Sequence, residues 1–244
     1  MIDGLRRGKP AFLASVTNAG EADIAVAGGA DIIDCKDPAS GALGALGSDT
    51  VREIVERIGG RLAVSATVGD LPSVPDVLVT AVTDMAATGV DIVKVGFFSD
   101  DDPREAVVAL GGAPFRTAKL VAVLMADRAP DFSLIPLLAE VGFAGVMLDT
   151  AEKSAGGLTS VLSTMRLMEF VQQARDNDLF VGLAGSLKES DIAMLADLEP
   201  DMLGFRGALC VEGRVSAIEP SRVAQVRLRI DAVKLAKARE TSVA

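Results

Sequence analysis

Eight apolar, β-branched runs recur along this chain, each followed by a segment of helical period, and that alternation constrains the fold more than any other feature. The runs are residues 11–17, 31–36, 62–69, 91–97, 119–126, 144–149, 179–185 and 201–207. The helical segments between and after them are 21–27, 49–58, 77–88, 103–110, 132–141, 158–177, 189–195 and 221–239. Three phrases repeat one device: Gly28-Gly29-Ala30-Asp31-Ile32, Thr88-Gly89-Val90-Asp91-Ile92 and Val141-Gly142-Phe143-Ala144-Gly145. In each, a helix ends at a glycine able to adopt the left-handed cap and a strand begins at once. Eight such units predict a (β/α)8 TIM barrel of the α/β class, one domain over residues 1–244, because about 250 residues is usual for that fold. An open doubly wound sheet is the competing architecture. The count of eight and the lack of a GxGxxG turn weigh against it.

Composition narrows the chemistry. Among 244 residues there is no histidine, tryptophan or tyrosine. Imidazole general bases, Ser-His-Asp and Cys-His nucleophiles and histidine-ligated metals are therefore outside its reach. A formal charge of −10 without a basic cluster argues against nucleic acid as a partner. Cys35 and Cys210 form no CxxC pair, which suits a reducing compartment. No apolar run is long enough to span a membrane, so a cytoplasmic location is expected. Barrels of this size often self-associate, and a homo-oligomer is expected.

In a barrel of this kind the site lies at the C-terminal ends of the strands, so polar residues interrupting apolar strands there are the candidates. Asp34 and Lys36 are two apart and share a strand face, with Cys35 on the other. If Ile32 points inward, both charges do too. Lys94 stands in an otherwise apolar strand. Its neighbours two residues away, Ile92 and Gly96, offer it no partner on that face. Asp149 closes the sixth run, and Lys153 follows in the loop. A single lysine in a strand most often snorkels or forms an ion pair. Three together, in a chain without histidine, form the only concentrated acid–base machinery, since desolvation and neighbouring cations lower a lysine pKa and free the amine.

Phosphate recognition has its own candidates. Gly185-Ser186 follows the seventh run and Arg206-Gly207 ends the eighth, the two loops that most often bind phosphate in this fold. Arg206 could add a charged fork. Ser65 and Thr67 end the third run with hydroxyls that either contact substrate or fill the barrel. Asp100-Asp101-Asp102-Pro103 suggests a metal site at first sight, but carboxylates before a proline-started helix are ordinary capping partners. Cys35 is expected to face the helix layer as a small hydrophobe, and Leu162, Met165, Leu167, Met168 and Phe170 to serve as core or subunit contact.

The stretches Gly28-Gly-Ala-Asp-Ile-Ile-Asp-Cys-Lys-Asp-Pro, Gly41-Ala-Leu-Gly-Ala, Val64-Ser-Ala-Thr-Val-Gly-Asp, Asp91-Ile-Val-Lys-Val-Gly, Val146-Met-Leu-Asp-Thr-Ala and Leu183-Ala-Gly-Ser-Leu-Lys closely resemble the (5-formylfuran-3-yl)methyl phosphate synthase family, also called 4-(hydroxymethyl)-2-furancarboxaldehyde phosphate synthase. The resemblance runs from about residue 24 to about residue 235 and departs from archaeal members at the N-terminus, where an extra polar segment precedes Ala11. It implies a (β/α)8 lyase that joins two glyceraldehyde 3-phosphate molecules into the furan of methanofuran or its analogue, with no metal or organic cofactor. Carried over by position, the Schiff-base lysine falls on Lys36 and the proton-accepting lysine on Lys94, while Asp34, Asp149 and Lys153 match the remaining charged positions. A rival is another phosphate-binding barrel with the signature Asp-x-Lys-x-x-Asp, such as an orotidine-monophosphate-decarboxylase-like lyase or a hexulose-phosphate synthase. Asp34-Cys35-Lys36 fits its first half and Ala39 breaks its last position. A non-catalytic ligand-binding barrel is the other alternative.

Overall fold

Parallel strands β1 (Ala11–Val16), β2 (Ile32–Cys35), β3 (Ala63–Thr67), β4 (Ile92–Phe97), β5 (Lys119–Met125), β6 (Gly145–Asp149), β7 (Phe180–Leu183) and β8 (Met202–Phe205) pair each with the next, and β8 pairs with β1 to close the barrel. The computed structural model describes residues 9–98, 102–113, 118–152 and 156–241. Around the strands run α1 (Ala19–Ala27), α2 (Ser48–Ile58), α3 (Pro75–Ala86), α4 (Arg104–Gly112), α5 (Ile135–Glu140), α6 (Leu158–Val161), α7 (Thr164–Asp176), α8 (Ile192–Asp197) and α9 (Pro220–Thr241). Among the described residues no helix is long and apolar enough to cross a membrane.

The helices form where a buried stripe coincides with end signals. In α2, Val51, Ile54 and Ile58 are buried on one face, Asp49 sits in the first turn and Arg57 in the last, and Gly59 ends it in the left-handed region at φ 56°. The expected helix over 158–177 is two helices. Leu162 is extended (φ −121°, ψ 138°), and the Ser163 hydroxyl accepts from the Arg166 N–H to start α7. On α7, Leu167 and Phe170 are core, whereas Met165 and Met168 are exposed. Asp100 and Asp101 lie outside the described residues; Asp102 does accept from the Arg104 N–H at the start of α4, at 3.1 Å.

The period-two pleat separates two cores. Phe12, Ile33, Cys35, Val64, Val93, Val146, Val181 and Leu203 face outward under the helices. Ala11, Leu13, Ile32, Ala63, Ile92, Val121, Met147, Phe180 and Met202 fill the barrel interior. Ile32 therefore points inward, and so do Asp34 and Lys36 two and four residues on. Cys35 faces the helix layer, where burial, reinforced by the Asp34 charge, pushes its thiol pKa far up and keeps it unreactive.

The aspartates that open strands also brace the barrel's lower rim. Asp31 accepts from the Phe12 N–H, Asp91 from the Val64 N–H and Asp201 from the Val181 N–H, each at 2.8 Å. Each carboxylate thus ties its own strand to the previous one where the ladder ends. Asp91→Ala should destabilise the protein by about 1.5–3 kcal/mol, the range for a hydrogen bond to a charged group. Urea denaturation would register this as a lower midpoint. Because Asp91 sits at the end of the barrel remote from the strands' C-terminal ends, ligand binding at the mouth should not change.

Candidate active site

Two lysine–aspartate pairs converge where the interior turns polar. Lys94 Nζ on β4 lies 2.7 Å from Asp34 Oδ1 on β2, and Lys36 Nζ, just beyond β2, lies 3.1 Å from Asp149 Oδ2 at the end of β6. All four are buried, Lys94 to 3% exposure and Lys36 to 6%. The local sequence accounts for this. Inward positions on β2 and β4 are apolar at the base, Ile32 and Ile92, and charged one pleat higher, so the charges meet above a greasy floor. Lys94 does have a carboxylate partner, contrary to the expectation from its own strand. The partner comes from β2 across β3, a contact that spacing along one strand does not report.

Asp34 is held on every side. Its Oδ1 also accepts from the Ser65 hydroxyl at 2.6 Å, and its Oδ2 accepts from the Ser15 hydroxyl at 2.8 Å. Desolvation lowers the pKa of Lys94 below the usual lysine value, Asp34 opposes the shift, and the positive charge of Lys36 adds to it. Such an ammonium gives up its proton more readily than a solvated lysine. Asp149 Oδ1 accepts from the Thr150 N–H at 2.7 Å, which fixes the carboxylate that faces Lys36.

Above these pairs opens a cavity of about 380 Å³, lined by Lys36, Lys94, Asp34, Asp149 and the loops after β7 and β8. The size suits a small ligand. Gly185 (φ 105°) and Ser186 (φ 49°) turn out of β7 in the left-handed region, so the expected strand to residue 185 ends at Leu183. A Cβ on Gly185 would also stand 3.1 Å from the Thr150 nitrogen. The N–H groups of Gly185, Ser186, Leu187, Gly207 and Ala208 meet no acceptor among the described residues, and all five residues line the cavity. Backbone N–H groups without an acceptor are the kind of donor that anions engage.

Three expected substrate contacts are engaged elsewhere. The Ser65 hydroxyl is spent on Asp34, and the Thr67 hydroxyl donates to the Gly44 carbonyl at 2.9 Å, pinning the loop after β2. Arg206 touches the cavity wall, yet its guanidinium is consumed. It pairs with Glu21 at 2.6 Å and donates to the carbonyls of Ser15, Arg214 and Ser216, with 8% of the side chain exposed. It is a structural tie between β8, α1 and the following loop, because every nitrogen already has a partner. Lys153 lies outside the described residues. Among those described, no three acidic or thiol side chains gather as a metal site would require.

The sequence does not single out Glu21, which holds Arg206 behind the cavity wall, or the cations Lys188, Arg214 and Arg222, which line the mouth. Glu21 is disguised as a capping residue, three after Asn18. Asn18 indeed accepts from its N–H at 2.9 Å. The cations were legible only by position, following strands seven and eight.

Fold and site together define a (β/α)8 barrel whose strand C-terminal ends carry two buried lysine–aspartate pairs at the base of a cavity. The model of the 4-HFC-P synthase family matches residues 12–227, and the chain belongs to that family. A Methylorubrum extorquens protein, provisionally named (5-formylfuran-3-yl)methyl phosphate synthase, is 43% identical over 225 residues, 92% of this chain and 93% of its own. The Methanopyrus kandleri protein of that name is 38% identical, with 84% of this chain and 91% of its own covered. Among solved structures, phosphoribosyl anthranilate isomerase from Thermus thermophilus is similar with a TM-score of 0.65 at 14% identity, over 91% of this chain and 99% of its own. The 3-keto-L-gulonate-6-phosphate decarboxylase from Vibrio cholerae has a TM-score of 0.65 at 12% identity, over 92% and 99%. These likenesses establish the barrel and nothing about substrate.

The Arg206–Glu21 pair makes a prediction about stability. Burial raises the Glu21 pKa, but hydrogen bonds from Arg206, Thr17 and Ile218 outweigh it and hold the carboxyl below its usual value. A depressed carboxylate adds stability above its unfolded pKa and loses it as pH falls through the folded one. Denaturation at a series of pH values should show this loss on the acid side in the wild type and a flatter curve in Glu21→Gln. Arg206→Ala, which strands a buried carboxylate, should cost about 3–5 kcal/mol at neutral pH.

Proposed function

We propose that this enzyme condenses two molecules of glyceraldehyde 3-phosphate into (5-formylfuran-3-yl)methyl phosphate through a Schiff base on Lys36, in the biosynthesis of methanofuran or its analogue. The observation that carries the reading is the division of two buried lysines between two separate carboxylates, Lys36 with Asp149 and Lys94 with Asp34. One amine is placed to react while the other moves protons.

In this reading the Lys36 amine adds to the aldehyde carbon of one triose and loses water, giving an iminium that Asp149 stabilises as its counter-ion. The iminium acidifies the adjacent carbon, and Lys94, whose ammonium form burial disfavours, takes that proton once it has given up its own. The resulting enamine expels the phosphate of its own triose, and the terminal enol carbon so formed bonds to C2 of the second triose, isomerised to its ketone form. Ring closure through the terminal hydroxyl and loss of two waters then aromatise the six-carbon skeleton, and hydrolysis returns Lys36. The balance is two trioses in, and one furan phosphate, one inorganic phosphate and two waters out. Asp34, braced by Ser15 and Ser65, acts on Lys94 by fixing its position. The N–H groups of the Gly185-Ser186 and Gly207 loops hold one phosphate group, the Lys153 side chain completes the charged set, and no metal or organic cofactor enters the scheme.

The test is product analysis with glyceraldehyde 3-phosphate as sole substrate. A furan-aldehyde ultraviolet absorbance should appear with one phosphate released per two trioses consumed. Lys94→Gln should lower kcat by roughly 10²–10⁴, the contribution of a general base. Phosphate release without furan absorbance, or an unchanged rate in Lys94→Gln, would contradict the proposal.

A further inference from the structure

Arg206 and Arg214 stand on the same loop system and have opposite electrostatic circumstances. Arg206 is fully partnered by Glu21 and carbonyls. Arg214 is half-buried at the cavity mouth, and no carboxylate lies within ion-pair distance of it among the described residues. Its one hydrogen bond there is from Nη2 to the Gly41 carbonyl, at 2.9 Å. Burial lowers its pKa, opposed by the more distant charges of Asp149 and Asp70, but a guanidinium stays charged at any working pH. A partly desolvated cation that no carboxylate touches among the described residues is costly to keep. An anionic ligand would remove the cost.

The group is also built into place from both ends. Its backbone carbonyl accepts from Arg206 Nε at 2.8 Å, so the Arg206–Glu21 tie sets where residue 214 stands. Its tip rests on the loop after β2, which Asp70 clamps by accepting from the Ala42 and Leu43 N–H groups at 2.7 and 2.6 Å. Gly41 is at φ 123°, and a Cβ there would stand 2.3 Å from Asp70 Oδ2, so only glycine lets the carbonyl present itself to Arg214. Held in this way, the guanidinium spans from the loop after β8 to the loop after β2, on the wall of the cavity that holds Lys36 and Asp149.

We propose that Arg214 is a second phosphate-binding side chain, which takes the phosphomonoester of the aldehyde bound at Lys36 while the N–H cradle after β7 and β8 takes the other. The inference rests on the two-triose reading for the identity of the ligands. The chemistry it requires of the site is only that a phosphomonoester dianion binds there. Two dianions entering one mouth of an acidic protein need two separate sources of positive potential, and the cradle supplies one.

The experiment uses glycerol 3-phosphate, which cannot form an imine, titrated calorimetrically into the full-length wild type, Arg214→Gln and Arg214→Lys. Wild type should bind two equivalents. Arg214→Gln should lose one of them by tenfold or more while the other is unchanged, and Arg214→Lys, which keeps charge but not the fork, should fall between. A single equivalent that is lost in Arg214→Gln would support Arg214 and remove the cradle. Identical titrations in wild type and Arg214→Gln, or no binding to wild type, would overturn the proposal. Steady-state kinetics give an independent readout: Arg214→Gln should raise KM for glyceraldehyde 3-phosphate at least tenfold. The rate of borohydride-trapped adduct with unphosphorylated glyceraldehyde should be unaltered. Equal loss with both aldehydes would mean Arg214 only supports the fold, which contradicts the inference. Absence of any adduct in wild type would count against the Schiff-base reading alone, because the titration stands apart from it.

Discussion

Two ammonium groups and two carboxylates share the dry upper interior of the barrel, and the rest of the structure depends on keeping them paired as Lys94 with Asp34 and Lys36 with Asp149. Buried ion pairs of this kind contribute little net stability, because desolvation offsets most of the attraction. Their presence therefore points to chemistry. Removing either carboxylate would leave a stranded cation beside a second cation, so the four residues act as one electrostatic unit. The hydroxyls of Ser15 and Ser65, aimed at the same carboxylate from β1 and β3, tie that unit to four adjacent strands, β1 to β4, while Asp149 joins it from β6.

Around this unit the loops are pinned by acids that do not enter the cavity chemistry. Asp70 holds the loop after β2, and Asp127 accepts from the Ala151 and Glu152 N–H groups at 2.7 Å to hold the loop after β6. Glu21 with Arg206 holds the segment after β8. An acidic composition is thus reconciled with the anion-binding site proposed for the mouth. Many of the negative side chains at this face are consumed in bracing backbone N–H groups, which leaves lysines, arginines and free amides to define the potential of the mouth.

The barrel was legible because both of its periodicities are local. Alternation in 31–36 and 91–97 shows which residues share a face, and the glycine that ends each helix marks where the next strand begins. Gly29, Gly89 and Gly142 all adopt positive φ. The identities of the charged site residues were legible for the same reason, since a lysine amid Ile92, Val93 and Val95 has few explanations. What could not be read was pairing across the interior. Asp34 looks like the partner of Lys36 along β2, yet the barrel's closure brings Lys94 to it and sends Lys36 to Asp149. Arg206 looked like a phosphate ligand by position, because its partner, Glu21, is 185 residues earlier in the chain. The pattern over 158–177 reads as one unbroken helix because a serine N-cap inside an amphipathic pattern leaves the hydrophobic period almost intact.

The central claim is that the two lysines are specialised, Lys36 as the amine that bonds to substrate and Lys94 as the group that moves protons. Borohydride trapping with glyceraldehyde 3-phosphate, followed by peptide mapping, addresses it directly. The account predicts a reduced adduct on the peptide carrying Lys36, absent in Lys36→Arg and still formed in Lys94→Gln, where product is lost. An adduct on Lys94, or turnover by wild type with no trappable adduct, would contradict it.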